Sequence, residues 1–124
     1  MDWNLSMPIF GDRSPVLVVD DEPLIAALVA DMLEELGCVA AVAENVPEAL
    51  AKLELDRFDL AILDINLAGR HSFPIAETLS DKNIPFAFAS GSSPAIIPDA
   101  FRAIPFVRKP FAIEDLSAAL ALAK

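Results

Sequence analysis

The chain has 124 residues, of which 55% are hydrophobic, and a formal net charge of −10. This size and composition predict one domain with a single core, while the acidic charge argues against an autonomous nucleic-acid-binding protein, which needs a positive surface for phosphates. The apolar runs are shorter than the roughly 18 residues of a membrane span, Cys38 is the only cysteine, and the first residues lack the pattern of a secretory signal. We therefore expect a cytoplasmic protein that binds neither membranes nor nucleic acids.

Strand and helix patterns alternate along the chain. Five short apolar runs predict buried strands, at residues 15–20, 38–43, 59–64, 84–90 and 104–109. Four amphipathic segments predict helices, at residues 23–36, 46–56, 74–82 and 111–123. Strands separated by helices indicate βαβ units, and continuous apolar strands indicate a parallel sheet that is covered on both faces.

Local signals predict the helix ends and the inward faces. Pro23 suits the first turn of the first helix, and Gly37 is a natural stop for it. Asn45 and Glu48 form a capping-box pattern at the start of the second helix. The apolar residues predicted to share the inward face of the first helix are Leu24, Ile25, Leu28, Val29, Met32, Leu33 and Leu36. Those of the third helix are Ile75, Ala76 and Leu79.

Two segments depart from this regular pattern. Pro94 and Pro98 interrupt the stretch between the fourth and fifth strands, so we expect one short helix near 98–103 or an extended crossover instead of a full helix. Residues 1–14 include several apolar side chains, and we interpret them as an N-terminal extension that packs on its own domain or, as an alternative, mediates dimerisation. The predicted domain therefore spans residues 15–124.

Polar side chains stand at the carboxyl ends of four predicted strands. They are Asp20 and Asp21 after the first strand, Asp64 after the third, Ser90 after the fourth and Lys109 after the fifth. Each has a simple structural explanation: Asp21 as a helix cap, Asp64 and Ser90 as turn residues, and Lys109 as a solvated lysine. In a parallel sheet, however, these strand ends meet at one edge, which is where such sheets bind ligands.

The chemistry of these side chains is complementary. Crowded carboxylates without His or Cys favour a hard cation such as Mg²⁺, which commonly bridges to phosphate. Asp64 could serve as a nucleophile that forms an aspartyl phosphate. Lys109 would then neutralise charge on the phosphoryl group, and Ser90 would donate a hydrogen bond to one of its oxygens. The residues thus predict a phosphoryl-transfer site with Asp64 as the acceptor.

Four segments, "VLVVDDEP", "LAILDINL", "FAFASG" and "FVRKPF", resemble in this order the signature segments of bacterial response-regulator receiver domains. The resemblance covers roughly residues 15 to 123. It implies a doubly wound, flavodoxin-like α/β fold with five parallel strands in the order 2-1-3-4-5. It also implies a Mg²⁺ ion held by Asp20, Asp21, Asp64 and the backbone carbonyl of Asn66.

The resemblance further implies a role for each residue of a phosphorylation switch. Asp64 matches the phosphoacceptor, Ser90 the switch hydroxyl, Phe106 the aromatic switch position and Lys109 the lysine of the site. The bond between Lys109 and Pro110 is often cis in such domains.

The chain departs from the commonest pattern of the family in three places. The loop after Asp64 lacks the usual Met-Pro pair, Phe106 has no hydroxyl where Tyr is common, and the stretch between Ser90 and Phe106 is short. "PFAFASG" resembles the "PFxFATGY" segment of a subset of stand-alone receivers, some of them tied to general stress signalling, with Ser92 in place of the Tyr. A switch at Phe106 would have to act by packing alone.

These features predict a single-domain receiver in two-component signalling, a phosphoacceptor rather than an enzyme. A histidine kinase or histidine phosphotransfer protein would phosphorylate Asp64, and the modified protein, a monomer or weak dimer, would change its contacts with a downstream protein target. We expect no output domain in this chain. Two alternatives remain open: a small Mg²⁺-dependent phosphatase or phosphotransferase, and a pseudo-receiver that binds partners without phosphorylation.

Overall fold

The alternation of strands and helices is present in the computed structural model, which describes residues 13–91 and 93–123. The main sheet contains β1 (Ser14–Val19), β2 (Cys38–Ala43), β3 (Leu60–Leu63), β6 (Phe86–Ser90) and β7 (Phe106–Arg108). A hairpin between β3 and β6 consists of β4 (Asn66–Leu67) and β5 (Arg70–His71). The helices are α1 (Pro23–Glu35), α2 (Val46–Leu55), α3 (Phe73–Asp81) and α4 (Ile113–Ala123). No helix within these ranges is long and apolar enough to cross a membrane. Residues 1–12 of the predicted extension lie outside the described residues.

The main sheet is parallel throughout, with the strand order β2-β1-β3-β6-β7. Counting only these five strands, the order is 2-1-3-4-5, which confirms the predicted fold class. The strand order reverses between β1 and β3, because the chain passes from β1 to β2 on one side and then to β3 on the other. The register pairs Val19 with Leu63, so the residues that follow these two strands lie side by side.

Side chains alternate between the two faces of the sheet and form two cores. On one face, residues such as Val16 pack with buried residues of α1 and α4, including Leu33 and Leu120. On the opposite face, residues such as Leu17 pack with α2 and α3, including Leu79. Burial on both faces explains why the strands are continuous apolar runs in the sequence.

The predicted signals at the helix ends are present in the structure. The N–H of Glu48 donates a hydrogen bond to Oδ1 of Asn45 at 2.8 Å, and Oε1 of Glu48 accepts one from the N–H of Glu44 at 2.8 Å, which confirms the capping-box pattern. Gly37 follows α1 with φ +89, a conformation that favours glycine.

The buried face of α1 differs from the prediction. Ala26, Val29 and Leu33 are its buried residues, whereas Leu24 is 85% exposed and Leu28 is 51% exposed. Apolar residues surround most of this helix, so their pattern does not define which side meets the sheet, and the small Ala26 permits close approach. The prediction that Leu24 and Leu28 belong to the inward face is therefore wrong.

The connection between β6 and β7 contains two 3₁₀ turns, Pro94–Ile96 and Asp99–Phe101. An irregular replacement for a fourth helix is thus confirmed, with a short 3₁₀ helix inside the predicted range 98–103. The additional turn at Pro94–Ile96 was not predicted. Pro98 has an extended backbone between the two turns, and its missing N–H prevents a continuous helical hydrogen-bond pattern. Phe101 is buried and packs with other phenylalanines on the α2–α3 face.

Candidate functional site

The polar residues predicted at the strand ends lie together at the carboxyl edge of the sheet. Asp20 follows β1, Asp64 follows β3, Ser90 ends β6 and Lys109 follows β7. The N–H of Asp64 donates a hydrogen bond to the carbonyl of Val19 at 2.9 Å, and the N–H of Lys109 donates one to the carbonyl of Ser90 at 3.0 Å. Pairing between neighbouring strands therefore fixes the backbone positions from which these side chains extend.

Three carboxylates form a compact cluster at this edge. Asp20, Asp21 and Asp64 each present one ligand oxygen, and these oxygens all lie within 4.8 Å of one another. Like charges this close repel each other unless a cation compensates them. Because all the donors in the cluster are carboxylate oxygens, they fit a hard divalent cation such as Mg²⁺.

Lys109 compensates part of this negative charge. Its Nζ lies 2.5 Å from Oδ2 of Asp20 and 3.2 Å from Oδ2 of Asp64. Burial alone would lower the pKa of Lys109, but the hydrogen bond with Asp20 and the charges of Asp64 and Asp20 outweigh it and raise the pKa above the ordinary lysine value. Lys109 is therefore a protonated donor to both carboxylates at neutral pH.

The Asp64 carboxyl group shows the effect of desolvation. Burial raises its pKa above the ordinary aspartate value, and the charge of Lys109 and a hydrogen bond from the Ser90 side chain offset this only in part. The charge of Asp20 raises the pKa further. An ionised Asp64 is thus contacted by two donors, whose effect on its pKa does not outweigh that of burial.

Asp21 is held by a different part of the chain. Its Oδ2 accepts a hydrogen bond from the backbone N–H of Ala68 at 2.9 Å, and Ala68 lies at the turn of the β4–β5 hairpin. The helix-cap alternative for Asp21 is wrong: Glu22 is the N-cap residue of α1, and its N–H binds Oδ1 of Asp20 at 3.0 Å. The residue pattern does not predict the hairpin, because its strands have two residues each and Gly69 is a weak turn signal.

Two other predicted site residues lie around the cluster. Asn66 opens the hairpin, is half-buried and lines the same cleft as the carboxylates. Phe106 begins β7 opposite Phe88, is half-buried, and packs against the core on the α2–α3 face. The peptide bond between Lys109 and Pro110 is cis, as the resemblance implied.

The cluster opens into a cleft of about 700 Å³. Asp21, Asp64, Ser90 and Lys109 contribute to its polar part. The apolar lining comes mainly from α1 and the segment after β7, and includes Ile25, Leu28, Val29, Met32 and Phe111. Asp64 therefore faces an opening that has a polar part and an apolar wall.

A comparison with known families identifies the class of this protein. The chain matches the response regulator receiver domain family over residues 16–121, which is most of its length. The chain therefore belongs to that family, whose members are signalling domains of two-component systems.

Individual relatives agree with this classification. The chain is similar to the solved structure of SdrG from Sphingomonas melonis Fr1, with a TM-score of 0.82 and 40% identity over 92% of this chain and 98% of that chain. It is also similar to the response regulator protein TrrA from Thermotoga maritima, solved in complex with Mg²⁺ and BeF, with a TM-score of 0.76 and 30% identity over 90% of this chain and 99% of that chain.

Curated relatives are longer than this chain. The chain is 33% identical over 113 residues to the transcriptional regulatory protein PdtaR of Mycobacterium tuberculosis, which covers 87% of this chain and 55% of that protein. Overall, the chain spans about half the length of the curated relatives it matches.

Proposed function

We propose that this receiver accepts a phosphoryl group on Asp64 while Mg²⁺ occupies the carboxylate cluster, and that phosphorylation changes its contacts with other proteins. The observation that carries the proposal is the surroundings of Asp64: a buried carboxylate at the end of β3, contacted by Lys109 and Ser90 and within 4.8 Å of two further carboxylates. The similarity to TrrA, which was solved with Mg²⁺ and BeF, supports the same use of the cluster here.

The reaction is a displacement at phosphorus. A carboxylate oxygen of Asp64 forms the new P–O bond, and the P–N bond to the histidine of the donor breaks. The histidine ring, protonated on its other nitrogen, leaves as neutral imidazole with the electron pair of that bond. Lys109, already bound to Asp64, neutralises charge that develops on the phosphoryl oxygens, and Ser90 donates a hydrogen bond to one of them.

Four groups of this chain are proposed to hold the cation. They are the carboxylates of Asp20 and Asp21 and the backbone carbonyl of Asn66, together with Asp64 itself. A bound Mg²⁺ supplies charge neutralisation at the phosphoryl oxygens and keeps part of its water shell. The protein's contribution is to fix the oxygen donors on the ends of adjacent strands, where backbone pairing limits their movement.

The switch requires a change of partner for Ser90. Its hydroxyl binds the Asp64 carboxylate in the unmodified protein and moves to a phosphoryl oxygen after transfer. Phe106, which is half-buried on the neighbouring strand, repacks in response. Because Phe106 has no hydroxyl, this response depends on packing, and a downstream protein target recognises the altered surface.

Membership of the family implies a histidine kinase or a histidine phosphotransfer protein as the donor. We place the donor on the apolar surface of α1, where Leu24 and Leu28 are exposed beside the site. We expect Leu24→Gln to slow phosphorylation by a phosphohistidine protein and to leave phosphorylation by phosphoramidate unchanged, because Leu24 is 85% exposed and does not line the cleft. If the wild-type protein and the variant were phosphorylated by the protein donor at equal rates, the proposed position of the donor on α1 would be contradicted.

The proposal is tested by intact-mass spectrometry after incubation with phosphoramidate. We expect one added phosphate on the wild-type protein in the presence of Mg²⁺, and none on Asp64→Asn or after chelation of the metal. A second measurement records the change in melting temperature when beryllofluoride and Mg²⁺ are added. Binding of beryllofluoride shows that the site can hold a phosphoryl group even if the phosphorylated protein hydrolyses quickly. The proposal is contradicted if the wild-type protein shows neither an added phosphate nor a thermal shift with beryllofluoride.

The alternatives lead to different results. A phosphatase or phosphotransferase would turn over a phosphate ester through many cycles, and a pseudo-receiver would bind no Mg²⁺. Neither is favoured by the family of the chain. The domain limits of 15–124, the cytoplasmic location and the monomeric or weakly dimeric state stay predictions within this proposal.

A further inference from the structure

The hairpin formed by β4 and β5, residues 66–71, contacts the carboxylate cluster through its turn. Asn66 pairs with His71 and Leu67 pairs with Arg70, which leaves Ala68 and Gly69 as a two-residue turn. Both turn residues have positive φ, +52 and +87, the combination that a type I′ turn requires. The Ala68 N–H points to Asp21 from this turn, at 2.9 Å from Oδ2.

The position of the turn is fixed at the other end of the hairpin by the core. Leu67 is buried among the residues of the α2–α3 face. The N–H of Ser72 donates a hydrogen bond to the carbonyl of Ile65 at 2.8 Å, which closes the base of the hairpin. The Ala68 N–H is therefore presented to Asp21 by a braced element, although Ala68 itself is exposed.

The hydrogen bond from Ala68 matters for Asp21 because Asp21 differs from Asp20 and Asp64 in its contacts. Lys109 binds both Asp20 and Asp64, whereas Asp21 receives its hydrogen bond from Ala68. A half-buried carboxylate that faces two others is repelled toward solvent unless a donor holds it. A carboxylate accepts about four hydrogen bonds or ligand contacts, so the bond to Ala68 leaves Asp21 able to bind a cation.

We propose that the Ala68 N–H positions Asp21 for the divalent cation, so that Ala68 is a positioning residue of the metal site. The inference rests on the proposed function, since it takes Asp21 as a ligand. Hydrogen bonds to metal ligands orient them before the ion arrives, and their loss typically weakens metal affinity by about 10- to 100-fold.

The residue type at position 68 is consistent with this role. Proline there would lack the N–H and would require φ near −65°, so it could form neither the turn nor the bond to Asp21. The loop after Asp64 lacks the Met-Pro pair, and it can therefore form this hairpin. A β-branched residue would keep the N–H but would disfavour positive φ, and glycine would keep the N–H and favour positive φ.

These preferences define a matched set of variants on the full chain. Ala68→Val should destabilise the turn, and Ala68→Gly should preserve it, while Asp20, Asp21 and Asp64 stay unchanged. Asn83→Val is the control, because Asn83 also has positive φ, +59, but follows α3 at the opposite edge of the sheet. The Mg²⁺ dissociation constant is measured by isothermal titration calorimetry, and the melting temperature is measured in chelator.

We expect Ala68→Val to weaken Mg²⁺ binding by about tenfold, and Ala68→Gly to bind Mg²⁺ at least as tightly as the wild type. Asn83→Val should lower the melting temperature in chelator without changing the dissociation constant. The inference is overturned if Ala68→Val lowers the melting temperature as Asn83→Val does but binds Mg²⁺ as tightly as the wild type, or more tightly. A wild-type protein that binds no Mg²⁺ would instead overturn the proposed function, and the inference with it.

Discussion

The interior of the sheet and its carboxyl edge are built from opposite kinds of residue on the same strands. β3 buries four apolar side chains in succession and is followed at once by Asp64. Burial of apolar surface in the interior stabilises the fold, whereas the edge brings together three carboxylates, whose desolvation and mutual repulsion oppose folding. The interior therefore stabilises the fold while the carboxylate cluster opposes it, so substitutions in the two regions should change stability in opposite directions.

The largest effect is expected in the interior. Phe88 is fully buried in β6 and makes edge-to-face contacts with Phe86, Phe73 and Phe101. Phe88→Ala should lower the free energy of unfolding by about 3–5 kcal/mol, because it removes buried apolar surface and leaves a cavity. Urea denaturation measures the change. Leu55→Ala is the control, since Leu55 is 81% exposed and its truncation should change stability by less than about 0.5 kcal/mol.

Cation binding should offset the repulsion at the edge. At free Mg²⁺ ten times its dissociation constant, the wild-type protein should gain about 1.4 kcal/mol of stability relative to chelator. Asp64→Asn should show a smaller gain, since it removes one ligand charge. Thermal and urea denaturation across a Mg²⁺ series measure both. An equal gain in the two proteins would mean that the ion binds away from Asp64.

Removal of the charge on Asp64 should stabilise the metal-free protein. Because burial raises the pKa of Asp64 in the folded state, the ionised form is less favourable there than in the unfolded chain. Asp64→Asn should therefore raise the free energy of unfolding in chelator at neutral pH. The advantage of the variant should shrink as pH falls through the folded-state pKa and approach its minimum below the ordinary value of 3.8. A variant that is less stable than the wild type at neutral pH would contradict this account of the edge.

The smallest effect is expected at the base of the hairpin. The hydroxyl oxygen of Ser72 is buried and has no hydrogen-bond partner among the described residues. Ser72→Ala should raise the free energy of unfolding by about 1 kcal/mol, because it removes a desolvated and unsatisfied group. Denaturation in urea measures the gain, and a loss of stability would show that the hydroxyl has a partner in solution.

The two regions also differ in how far the sequence predicts them. The parallel sheet and the site follow from the residue pattern, because Asp20 and Asp64 each come directly after an apolar run that forms a strand, and Lys109 follows the last strand. The strand order follows only from the resemblance to receiver domains. The side of α1 that meets the sheet does not follow, since Leu24 and Ala26 are both apolar and only packing selects between them. The functional groups of Ser90 and of the three aspartates belong to their side chains, so the sequence itself shows them.

The hairpin illustrates what residue identity does not reveal. Ala68 acts through its backbone N–H, which every residue except proline has, and its contact with Asp21 joins positions 47 residues apart. The same holds for the two 3₁₀ turns before β7. Pro94 and Pro98 predict an interruption, but the burial of Phe101 depends on its contacts with other phenylalanines that are distant in sequence. Tertiary contacts therefore determine both segments.

The central claim is that Asp64 carries the phosphoryl group, and chemical trapping tests it most directly. After reaction with phosphoramidate and Mg²⁺, borohydride reduces an aspartyl phosphate to homoserine, and peptide mass spectrometry identifies the position. We predict homoserine at position 64 alone, and none when Mg²⁺ is withheld. Homoserine in place of Asp20 or Asp21, with position 64 unchanged, would contradict the account.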